Sequence, residues 1–164
     1  MKISTQSQSR TRDQRTGAAA VEFAIVAPIF ISLIFGVAEM GRALDVSTNM
    51  TSALREGGRL ASMHYNGVVP PGMTTEEKVL LDIRNVLKAN GVPGDEVTLT
   101  LTHADGAKAG QDFDLDDPSN YLKNFQLTAT VAYADVSTFP IKIMSGQTLT
   151  SKIVFRLGRS DLSS

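Results

Sequence analysis

Glu22 is the first residue whose position asks for a chemical reason, because 16 uncharged residues, FAIVAPIFISLIFGVA, follow it directly. A carboxylate entering a bilayer costs about 2.5–3.5 kcal/mol at the centre and less near an end. A second acidic group, Asp112, Asp114, Asp116 and Asp117, sets carboxylates at alternate positions, as at the start of a calcium loop. Asp117 stands where an EF-hand needs Gly and Lys123 where it needs the closing Glu, so that loop could neither turn nor close in the EF-hand manner. Two readings remain for these four residues: a calcium site of another kind, or a solvated acidic loop. An imidazole site would need both His64 and His103, and no nucleophile, base and orienting group assemble around either. Gly106 and Gly110 lie in a polar connection without the strand, Lys and helix of a phosphate-binding loop. No enzyme activity and no cofactor are expected.

The elements that position these groups begin with a membrane segment. Residues 18–38 are uncharged at every position but Glu22, and 21 helical residues span about 31 Å, the thickness of a hydrocarbon core. Lys2, Arg10, Arg12 and Arg15 against Asp13 give the first 17 residues a charge of +3 and leave the other 147 at −4. The basic flank places the leader, residues 1–17, in the cytoplasm and everything after Ala38 outside it. A buried core helix would show a polar face, which this segment lacks. A secretory signal peptide cut after Gly36-Val37-Ala38 is the other reading, opposed by the length of the apolar run and the charge at its head. Absence of Cys excludes disulfides and thiolate metal sites, and an acidic remainder does not attract nucleic acid.

Past Ala38 small or apolar residues recur at Ala43, Val46, Met50, Ala53, Gly57 and Leu60, spacings of three and four that mark one helix face. A helix from Ala18 to His64 reaches about 70 Å, and residues 39–66 are expected as a stalk. Its seam fits packing on the same chain and on a partner helix equally well, and Gly57-Gly58 reads either as a close approach or as a kink. Pro28 removes one backbone hydrogen bond inside the membrane segment.

The outer domain, residues 67–164, starts among the turn residues Asn66-Gly67 and Pro70-Pro71-Gly72. Residues 74–90 read as a helix with a Thr74/Glu77 capping box, an apolar face of Val79, Leu80, Ile83, Val86 and Leu87, and an Asn90-Gly91 stop. That face needs a sheet. Alternating runs at 97–102, 125–133 and 149–157 supply three strands, with residues 139–143 left as an edge strand or loop by Pro140. The fold class is α+β: a long N-terminal helix, then one helix on a roughly three-stranded antiparallel sheet.

The stretch Gly17-Ala18-Ala19-Ala20-Val21-Glu22-Phe23 resembles a prepilin processing site, and GAAAVEFAIVAPIF followed by a long helix and a short α/β region resembles the TadE-like minor pseudopilins of tight-adherence (Tad, or Flp) pilus systems. FQLTATVAYADVSTFP and QTLTSKIVFR resemble that family's closing strands more weakly. The resemblance implies a pilin-like fold, a prepilin peptidase cutting between Gly17 and Ala18, and a Glu22 that pairs with the terminal amine of a neighbouring subunit. Phe23, where the short major pilins carry Tyr, favours a minor component. Implied partners are the peptidase, other pilin and pseudopilin subunits, the Tad inner-membrane assembly platform and membrane lipid, with no nucleic acid. The implied location is the bacterial inner membrane, single-pass, with the C-terminal domain periplasmic or carried into a pilus. The competing class is an extracytoplasmic binding module or adhesin, anchored or released after Ala38. A membrane-tethered enzyme ranks third.

Overall fold

A computed structural model describes residues 8–63, 69–138, 144 and 146–158, with side chains from Gly17 onward. Helix α1 (Gln8–Ser62) is followed by α2 (Thr75–Ala89), β1 (Thr98–His103), β2 (Asn124–Ala132), the short α3 (Tyr133–Val136) and β3 (Thr148–Arg156). The fold is α+β, with one antiparallel sheet in the order β1-β2-β3. His64, the turn at 66–67 and the segment at 139–143 lie outside the described residues.

Helix α1 meets two surroundings. From Gly17 to Ala38 nearly every side chain is exposed, and the apolar window there has none of its residues buried. From Glu39 onward one face turns inward: Ala43, Val46, Met50, Ala53, Leu54 and Ala61 are buried against the rest of the chain. The seam therefore packs on its own domain, between α2 and β3. The helix runs unbroken through Gly57-Gly58, and the two glycines serve close approach rather than a kink. A Cβ at Gly57 would overlap the Ile83 side chain of α2, and one at Gly58 would overlap the Phe155 ring of β3. Pro28 also leaves the helix continuous, and the Ser32 hydroxyl donates to the Pro28 carbonyl at 2.8 Å.

The start of α2 follows from local chemistry. The Glu77 N–H donates to Thr74 Oγ1 at 3.2 Å while the Thr74 N–H donates to the Glu77 carboxylate at 3.1 Å, which satisfies two amides that a helix start leaves free. Val79, Ile83 and Leu87 are fully buried, with Leu80 and Val86 at the margin. Gly91, at φ 74°, takes the left-handed turn that ends the helix.

Each strand begins one residue from its expected start, because the hydrogen-bond ladder, not the apolar alternation, sets the ends. Alternation in β2 sends Phe125, Leu127, Ala129 and Val131 to the core, and Thr128 and Thr130 to the other face. The register aligns His103, Phe125 and Phe155 across all three strands. With Phe113 they form a ring series at 4.6 Å (His103 to Phe113), 5.4 Å (Phe113 to Phe125) and 5.8 Å (Phe125 to Phe155) between centroids. Gly58 abuts the end of this series, so substituting Ala there sets a helix-propensity gain of about 1 kcal/mol against overpacking of a stiff ring. Gly58→Ala is expected to destabilise the domain by about 1–3 kcal/mol, read as a lower denaturation midpoint of the chain in detergent micelles. An unchanged or higher midpoint would show that Phe155 yields freely.

Candidate functional site

Gly17, Ala18, Glu22 and Phe23 lie on the exposed N-terminal half of α1. Nothing approaches the position of a Cβ at Gly17 within 4 Å, and Phe23 is 72% exposed. Glu22 has no hydrogen bond or ion pair with another described residue, so one subunit leaves its carboxylate available for an outside cation. The Gly17 to Ala18 bond is helical, and a peptidase that takes an extended strand must first unwind it. Gly, about 1 kcal/mol poorer than Ala in a helix, lowers the cost of doing so at this position. A family model described as TadE-like protein matches residues 17–59. This stretch is TadE-like. No curated protein and no solved structure matches the chain. The TadE-like stretch begins at Gly17 and runs through the exposed apolar segment into the buried part of α1.

Glu39 is the residue that the sequence reading missed at the junction between these halves. It is fully buried: its carboxylate accepts the Met144 N–H at 3.1 Å, and its backbone carbonyl accepts the Tyr133 hydroxyl at 3.0 Å. The spacing carried a signal for it, since Glu39 lies four residues before Ala43 and so extends the seam by one member. Beside it, Arg42 donates to the carbonyls of Val136 and Gly91, both at 3.2 Å, tying α1 to the ends of α3 and α2.

The four aspartates of the long loop do not converge. Asp112 pairs with Thr102 alongside β1, and Asp117 accepts both the Ser119 N–H at 2.8 Å and its hydroxyl at 2.7 Å. That hydrogen bonding holds the Asp117 carboxyl below the usual carboxylate range. Asp114 and Asp116 instead gather with Glu76 of α2, one oxygen from each lying within 4.8 Å of the others. Each already accepts bonds: Glu76 from the Leu115 N–H at 2.6 Å, Asp114 from the Asp116 N–H at 2.8 Å, Asp116 from the Thr75 hydroxyl at 2.8 Å. Any cation here would compete with bonds that fasten the loop to α2. Glu76 escaped the sequence reading because it stands 39 positions before Leu115, whose N–H it accepts, and only the tertiary fold brings the two regions together.

His103 ends β1, buried beside a cavity of about 370 Å³ lined by Asp105, Gly106, Ala107, Lys108 and Lys123. Among the described residues no hydroxyl nucleophile lines it. Burial first, then Lys108 and Lys123, push the imidazole below its ordinary value of 6.5, outweighing Asp105 and Asp117. A folded-state value below the unfolded one means that the folded chain binds fewer protons. The stability due to neutral His103 is therefore complete above about pH 6.5 and is lost as pH falls below that value towards the folded one. Wild-type stability should drop more than that of His103→Gln between pH 7 and pH 5, read by denaturant midpoints at each pH. Parallel curves would remove His103 from the acid response.

Proposed function

We propose that this chain is a non-enzymatic minor pseudopilin of a Tad pilus system, held in the inner membrane by α1 and trimmed by a prepilin peptidase between Gly17 and Ala18. The observation that carries the reading is the TadE-like match over residues 17–59, which begins at the expected scissile residue and includes Glu22 and Phe23. Cleavage creates an α-ammonium at Ala18, cationic at neutral pH, and Glu22 is the carboxylate without a described partner that such an amine on a neighbouring subunit can meet. Pairing removes two lone charges from apolar surroundings and fixes the axial offset between helices. The exposed apolar face of residues 18–38 then packs against lipid before assembly and against other pilin subunits after it, with the Tad inner-membrane platform as the machine that moves it.

Release after Ala38 fits less well. It would place a new charged amine on Glu39, a fully buried residue whose carbonyl is held by Tyr133. A bilayer-anchored subunit keeps that position as an interior peptide of a continuous helix.

Two measurements test the reading. N-terminal sequencing of the chain expressed with its pilus system should begin at Ala18; a start at Glu39 would establish the released module instead, and an intact Met1 a plain anchor. Glu22→Ala should abolish incorporation or pilus assembly while leaving the thermal midpoint of the domain unchanged, since Glu22 touches none of the domain's core. Normal assembly by that variant would remove the carboxylate from the mechanism.

A further inference from the structure

The two edges of the sheet are finished differently. At one end of the β2–β3 ladder the Tyr133 N–H donates to Gln147 O at 2.9 Å, and at the other the Leu157 N–H donates to Lys123 O at 3.0 Å. Odd-numbered residues of β3 therefore turn their backbone groups towards β2, and the N–H and C=O of Thr148, Thr150, Lys152, Val154 and Arg156 point outward. None of these backbone groups bonds to another described residue. The β1 edge has a cover instead: the His103 N–H donates to Gln111 O at 2.8 Å and the Phe113 N–H to Leu101 O at 3.3 Å.

A bare edge of nine residues is a template for one more strand. The side chains of β3 also stop one strand short of closure. On the core face Leu149, Ile153 and Phe155 are only partly buried, whereas Val131, Leu127 and Phe125, their partners on β2, are buried. On the other face Val154 is 53% exposed between Lys152 and Arg156, and neither cation pairs with a described carboxylate. A strand laid along this edge meets apolar side chains on one face and two cations on the other, so its complement alternates apolar and acidic residues. A second copy fits less well, because a two-fold antiparallel pairing centred on β3 sets Lys152 against Lys152. We propose that the outer edge of β3 takes an extended segment of another protein as a fourth, antiparallel strand, with acidic side chains opposite Lys152 and Arg156 and apolar ones opposite Ile153 and Phe155. Backbone bonds supply the attachment and the two cations choose the partner. The inference needs neither cleavage at Gly17 nor a partner for Glu22, and so stands apart from the assembly reading.

The test uses the full chain in detergent micelles, isotope-labelled for amide NMR and hydrogen exchange. In the dilute free chain the amides of Thr150, Lys152 and Val154 should exchange fast, while those of Ser151, Ile153 and Phe155, bonded to β2, are protected. The probe is the capped peptide Thr-Glu-Val-Thr-Val-Glu-Thr, which at roughly millimolar concentration should shift and protect the three outward amides. Replacing both Glu by Lys should weaken binding roughly fivefold or more, and N-methylation at both Glu and the central Thr, whose amides face β3, should abolish it. Lys152→Glu, an exposed change, should remove the preference for the Glu peptide. Outward amides already protected in the free chain, or self-association through β3 in place of the peptide complex, would each overturn the proposal. So would equal binding of the Glu and Lys peptides, undiminished binding of the N-methylated one, or no shift at ten times the roughly millimolar range.

Discussion

The face of α1 formed by Ala43, Val46, Met50, Ala53, Gly57 and Ala61 is the surface against which α2 and β3 are laid. Its residues are small or flexible where neighbours come closest. Two glycines admit Ile83 and Phe155, and the ring series from Phe155 through Phe125 and Phe113 to His103 extends that packing across the sheet to β1. About twenty residues earlier the same helix carries an exposed apolar surface long enough to cross a hydrocarbon core. One element thus carries two kinds of surface, and the change between them is made within a single turn.

Glu39 marks that turn. A buried carboxylate is costly unless its oxygens are bonded, and here the Met144 N–H meets one of them while Tyr133 secures the adjacent carbonyl. Arg42, one turn on, adds bonds to α2 and α3. The domain is consequently tied to α1 by hydrogen bonds where it adjoins the apolar segment. The acidic loop and the His103 cavity lie at the opposite end, where the chain makes its longest excursion between strands.

What could be read from the sequence was what local chemistry decides. The Thr74/Glu77 box needed only residues three apart, and the alternation in β2 needed only the pleat, so both were legible. The seam on α1 was equally legible as a pattern, but a period of three and four does not name its partner, and Gly57-Gly58 gave no sign of which ring or side chain would fill the space above it. The aspartate loop shows the limit most clearly. Its four acids look alike in sequence, yet Asp117 caps a turn, Asp112 borders β1, and Asp114 and Asp116 join Glu76, a residue brought near only when α2 lies across the sheet. Around Glu22 the structure of one subunit supplies position and exposure.

The unbroken helix across Ala38 and Glu39 has a rotational consequence. With 3.6 residues per turn, each residue carries the chain through about 100°, so the bearing of the sheet about the helix axis is phase-locked to the bearing of Glu22. Any contact that fixes the azimuth of the membrane segment also selects which side of the domain faces a neighbour. Adding or deleting a single residue at this junction would turn the sheet by more than a quarter of a circle relative to Glu22 without disturbing either half.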